Sequence, residues 1–291
     1  MDAKLVWDTW RRLLTDDGLV AWINNRDSRG TPPPGLSADE TAILVEYSAT
    51  PPATRSNIGM YRRGLIRNAL GALELLPLSR NLLRASDLDD DATAKRFSKA
   101  SVYHDYGPRF WGAAADFVNF LAGLPEFASR AHQDVLTLDR ATAGLALRLG
   151  SAKPAMWPAI AITDGGGRAD QVGAPPVRFL ATAAAAVVPT SCDITPWIVS
   201  PFDFDPADPL DLAPQHIVVY FPTAEAAPEY ALVSARAARV FEALSTPHDT
   251  HDVSAAVDGL SPADAEAVVG ELTALGVVAA QAGLPETTAA R

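Results

Sequence analysis

The stretch PHDTHDVS, residues 247–254, brings His248, Asp249, His251 and Asp252 close together. Imidazole and carboxylate groups at such spacing could ligate a divalent cation or pass a proton. A metal, however, needs several donors converging on one point. These four residues stand where a loop enters a helix, and Asp and His there commonly cap the helix or face water. A structural role is therefore preferred for them. His104 is followed directly by Asp105, but adjacent residues do not face each other on a helix. TDGGGRAD, residues 163–170, has glycines that could cradle a phosphate, yet it lacks the P-loop lysine and the dinucleotide-fold spacing. Cys192, in PTSCDIT, has no histidine nearby. As the only cysteine it excludes an internal disulfide and a cysteine-built zinc cage. No catalytic constellation emerges, and the chain reads as a non-enzyme without a metal of its own.

The elements that would position any site fall into two groups. Residues 1–150 read as successive helices. Leu5, Val6, Trp10, Leu13 and Leu14 recur at helical spacing. Ser37 stands three residues before Glu40, the pattern of a capping box. Ile58, Tyr61, Leu65, Leu73 and Leu76 share one broad face until Pro77 interrupts. Short connections between such helices predict a bundle. Residues 151–176 are rich in Pro and Gly and predict a linker.

From residue 177 to 291 the pattern changes. PPVRFLATAAAAVVPT is ambiguous between strand and helix. HIVVYF and YALVSA read as two strands joined by a long turn. Three helices follow, the last capped by Ser261, opened by Pro262 and stopped at Gly276, with VVAA as a returning strand. That order predicts an α+β chain: a helical bundle, then a winged-helix-like domain with a small sheet.

Charge narrows the function. The net charge is −11, and all of the excess lies after residue 176, where four arginines face fifteen acids. DNA affinity comes largely from Lys and Arg on phosphates, whereas PADAEAVVGELTALG carries Asp264, Glu266 and Glu271 and no base. A DNA-binding regulator is thus the weaker alternative, beside an enzyme whose site goes unrecognised. No window approaches a membrane span, and the acidic, aromatic start lacks the plan of a signal peptide. A cytoplasmic location is expected.

The stretch NIGMYRRGLIRNALGALELLPLSRNLL, residues 57–83, resembles a segment of the partner proteins of multinuclear non-haem iron-dependent oxidative enzymes. Tyr61, Arg62, Asn68, Ala69, Leu70 and Pro77 are the matching positions. FVNFLAGLPEFASRAHQDVLTLDRA resembles the next landmark of that family. The resemblance implies a non-catalytic subunit in the biosynthesis of ribosomally made, modified peptides. Its partners would be a TIM-barrel oxidase, which carries the iron, and a precursor peptide whose leader it holds. It also implies a winged-helix-like recognition domain over residues 177–291, in a family also labelled putative DNA-binding.

Leader capture in that setting is expected by β-augmentation, in which an extended peptide adds to an open sheet edge. The expected edge is Tyr230, Ala231, Leu232, Val233 and Ser234, with HIVVYF as the competitor. Val268, Val269 and Leu272 are expected as the other wall of the groove. Tyr61, Arg62, Arg63 and Arg67 either hold acidic neighbours within the bundle or dock the oxidase or an acidic part of the precursor.

Overall fold

The computed structural model describes residues 2–25, 32–50, 52–100, 111–151, 177–200, 210–223 and 226–281. Most of the expected linker, the glycine run 165–167 and the His104–Asp105 pair lie outside these residues. The chain is an α+β protein, mostly helical with two small antiparallel sheets. Contacts divide it into two compact units, Met1–Phe127 and Ala128–Arg291.

The first unit is helical throughout its described residues. It comprises α1 (Ala3–Thr15), α2 (Asp17–Asn24), α3 (Ala38–Ser48), α4 (Pro52–Glu74), α5 (Pro77–Ala85), α6 (Asp90–Ala100) and α7 (Trp111–Ala122), then a 3-10 turn at Pro125–Phe127. Local chemistry sets the boundaries. Asp16 accepts from the Gly18 and Leu19 amides at the start of α2. Ser37 and Glu40 form the full capping box before α3. Pro77 opens α5 in the first position, where its missing N–H costs nothing. Leu13, Leu19, Ile23, Leu44 and Ile58 close one core. Phe97 and Phe117 meet edge to face at 4.6 Å in another part of the unit.

The second unit opens with α8 (Arg130–Ser151), a helix that the sequence reading grouped with the preceding ones. Its contacts lie with strands β2 (Ala185–Thr190) and β3 (Gln215–Tyr220). An amphipathic pattern tells that a helix packs but not against what, so α8 carries no sequence mark of its unit. The ambiguous alanine-rich stretch becomes β1 (Arg178–Ala181), a turn, and β2. There, strand pairing overrides the helical preference of alanine.

Beyond β2 come the short helix α9 (Thr195–Val199), β3 and β4 (Glu229–Val233), then α10 (Ala235–Ala243), α11 (Thr250–Ala256) and α12 (Pro262–Ala274), and finally β5 (Val278–Gln281). One sheet has the order β2–β3–β4, and β1 pairs with β5 in the other. Gly276, at φ +76°, makes the left-handed turn between α12 and β5.

Side-chain alternation splits the three-stranded sheet between two layers. Ala185, Val187, Val218, Tyr220 and Val233 point into the core of α10, α11 and α12, with Val240, Leu244, Val253 and Leu272. Val219, Ile217 and Tyr230 take the opposite face, on the side of α8. A carboxylate on α8 secures the exit from β2. Asp134 Oδ2 accepts from the Ser191 amide at 2.8 Å, the Ser191 hydroxyl at 2.9 Å and the Cys192 amide at 2.9 Å.

Removing that acceptor leaves two partly buried amides without a partner, at a cost of about 1–3 kcal/mol. Asp134→Ala is therefore expected to lower stability by that amount in urea unfolding. The Cys192 thiol, 3 % exposed in the folded chain, is expected to react faster with a disulfide reagent in the variant. Unchanged labelling and stability would show that the carboxylate does not hold this turn.

Candidate functional site

The β4 strand ends the order β2–β3–β4, and the direction of its backbone groups follows from one bond at the far side of the sheet. The Phe221 amide donates to the Ala184 carbonyl at 3.0 Å, so the backbone of Phe221 faces β2. Along a strand these directions alternate. Val219 and Ile217 therefore also face β2, while Tyr220, Val218 and His216 face β4. The β4 partners of those three are Glu229, Ala231 and Val233. Tyr230 and Leu232 consequently turn their N–H and C=O groups away from β3, to a side where no strand pairs among the described residues.

The opposite edge of this sheet is different. By the same alternation Ala185, Val187 and Pro189 point outward from β2, and proline has no N–H to offer. Proline on an outward position is a common way to blunt an edge against pairing. No proline stands within β4, so its edge keeps a full donor–acceptor row.

Side chains anchor β4 while leaving one apolar group free. Tyr230 reaches towards Asp139 and Thr142 of α8. Burial, and then the Asp139 carboxylate, push its phenol above the ordinary value. Val233 packs on the helical core. Ser234 accepts from the Ala237 amide at 3.0 Å and caps α10, so the end of the strand is fixed to a helix start. Leu232 is 59 % exposed. HIVVYF, the competing edge, is the central strand, paired on both sides.

Val268, Val269 and Leu272, expected as the second wall, are core residues at 9 %, 1 % and 1 % exposure. The apolar face of α12 is directed at α10, α11 and β5, as its contacts require. Val269 borders a cavity of about 570 Å³, shared with Phe179, His251 and Glu266 and with no residue of β4. The face of α12 that is left to solvent is acidic, with Glu266 and Glu271 exposed.

The histidine cluster is built as a helix start. Asp249 accepts from the Asp252 amide at 2.8 Å and caps α11. His248 exchanges backbone bonds with Phe179 of β1. Its Nε2 lies 2.8 Å from the Thr246 hydroxyl, and its Nδ1 lies 3.7 Å from Asp252. That last separation exceeds a hydrogen bond, and the ring and carboxylate are both partly exposed. A working hydroxyl–imidazole–carboxylate relay is not assembled. Among the described residues, no three His, Cys, Asp or Glu side chains are placed to share a metal.

In the first unit, the basic start of α4 is partly tied down. Arg62 bonds to Asp17 on α2, and Lys99 of α6 bonds to the other oxygen of Asp17 at 2.6 Å. The Lys99 and Arg62 hydrogen bonds hold the Asp17 carboxyl below its ordinary range. Tyr61 is 50 % exposed and meets Trp10 edge to face at 5.8 Å. Arg62 and Arg63 border a pocket with Lys95 and Lys99, whereas Arg67, also exposed, does not. The two lysines went unnoticed in sequence, although their four-residue spacing places them on one face of a helix. No protein-family model matches the chain, and no curated protein matches it.

The β4 edge has a spectroscopic signature. Tyr220 donates to Glu229 Oε2 at 2.7 Å across the β3–β4 pair. Partial burial, and then the Glu229 bond, push its phenol up to about 12. A raised phenol pKa stabilises the fold fully below the ordinary value of about 10. That stabilisation is lost as pH rises through about 12. Tyr220→Phe is expected to remove phenolate absorbance near pH 12 and to flatten the alkaline loss of stability. Amplitude lost near pH 10 instead would place Tyr220 in water.

Proposed function

We propose that the chain is a non-catalytic partner protein. It holds the leader of a ribosomally made precursor peptide and presents the peptide to a separate iron-dependent oxidase. The observation that carries this reading is the edge of β4, where Tyr230 and Leu232 direct their backbone groups outward beside an exposed leucine. An extended peptide laid there would continue the ladder β2–β3–β4 as a fourth strand. The main-chain bonds would supply affinity. Alternate side chains of the peptide would meet Leu232 on one face and solvent or Ala231 on the other.

The winged-helix-like reading of α10, α11, α12 and β5 supports this role, since such a unit presents a small sheet edge beside helices. Val268, Val269 and Leu272 act in it as core, and their contribution to binding is indirect. The resemblance of residues 57–83 to oxidase partner proteins supplies the enzyme side of the reading. Tyr61, Arg62, Arg63 and Arg67 are its candidate docking residues. The fifteen acids after residue 176 favour a leader with some basic residues.

The test is co-purification with an oxidase encoded beside the gene, then titration of its labelled precursor. A proline at Leu232 removes an outward donor without breaking a β3–β4 bond. Leu232→Pro is expected to weaken the precursor about three- to tenfold, the scale of one neutral hydrogen bond. Precursors N-methylated at single leader residues leave the protein untouched, and they are expected to lose affinity at every second position. Binding indifferent to both changes would exclude the edge, and absence of any complex would exclude the partner role.

A further inference from the structure

A pocket of about 370 Å³ lies in the first unit between α4 and α6, with Asp17 of α2 on its rim. Four cationic side chains border it. Arg62 and Arg63 come from α4, and Lys95 and Lys99 from one face of α6. Asp17 is the single carboxylate among the lining residues, and it is already engaged by Arg62 and Lys99. Arg63 and Lys95 form no ion pair among the described residues. Elsewhere in this unit Arg12, Arg80 and Arg96 each have an acidic partner, Glu40, Asp90 and Glu126.

We infer that this pocket binds a compact phosphate-bearing small molecule, a role separate from the β4 edge. Four like charges around one concavity repel one another, and a multiply charged anion relieves that repulsion where a surface counter-ion does so only loosely. One carboxylate would leave the pocket strongly positive, whereas a phosphate dianion offsets two of the three charges left over by Asp17 and a diphosphate trianion offsets all three. The size is at the small end of ligand pockets, which begin near about 300 Å³.

The donors also suit tetrahedral oxyanions. Two guanidinium groups offer paired N–H donors, and two ammonium groups add point charges. Asp17 fixes Arg62 and Lys99 before any ligand arrives, which reduces the ordering that binding would require. Gly59, one turn before Arg63, lines the pocket without a side chain of its own. A methyl there would lie 3.6 Å from Arg63 Nη1.

The experiment is calorimetric titration of the full chain with inorganic pyrophosphate, and with glutarate as a dicarboxylate of comparable span, at matched ionic strength. Saturable pyrophosphate binding is expected. Arg63→Gln and Lys95→Gln are each expected to weaken it about tenfold, the scale of one charge-assisted hydrogen bond. Arg84→Gln, on α5 and outside the pocket, is expected to leave affinity within about twofold, since it removes only a screened charge. Circular dichroism confirms that each variant is folded. Three results would each overturn the inference: no saturation with pyrophosphate, equal loss with Arg84→Gln, or glutarate binding as tightly as pyrophosphate.

Discussion

The second unit depends on the hydrogen bonding of β3. This strand is paired on both sides, and Val218 and Val219 are fully buried on opposite faces. A one-residue slip would turn each of them to the wrong layer, so the register is strongly specified. That register determines more than packing. It fixes which β2 and β4 residues direct backbone groups inward and which outward. Pro189 then falls on the outward row of β2, and Tyr230 and Leu232 on the outward row of β4. The two edges of one sheet thus differ in chemistry because of a strand that belongs to neither.

An open edge is a liability that proteins normally remove. Among the described residues β2 carries the usual protection and β4 does not, although β4 is held by the partly buried Tyr230 and the Ser234 cap. Rigidity without protection is what strand addition needs, because a prepared edge loses little freedom when a peptide joins it. Leu232 adds apolar surface at the same place. The same features would promote self-association at high concentration, so a partner strand would also protect the edge.

Much of the local structure was legible in the sequence because it rests on short-range chemistry. The capping box at Ser37 and Glu40, the start at Ser261 and Pro262, and the stop at Gly276 each involve residues within one turn. The pair HIVVYF and YALVSA was legible from β-branched and aromatic runs. Pairings between distant segments were not. Nothing in RFLA announces that it joins Val278–Gln281 across the intervening helices. Nothing in α8 announces the sheet it covers. Val268, Val269 and Leu272 were legible as an apolar face, but that face turns to the core, as an apolar stripe on a helix usually does. The candidate edge was legible as a strand, whereas the outward direction of its backbone depends on the whole ladder.

The two candidate sites differ in the forces they use. The β4 edge relies on neutral backbone donors and acceptors, whose strength changes little with ionic strength. The pocket of Arg62, Arg63, Lys95 and Lys99 relies on charge, which salt screens over about 8–10 Å. The uneven charge of the chain acts on both. Acids after residue 176 repel anionic ligands from the second unit and attract basic peptides. The four cations that border the pocket of the first unit do the reverse within one concavity. A basic peptide and an anion would therefore be drawn by charge to different units, before either met a specific contact.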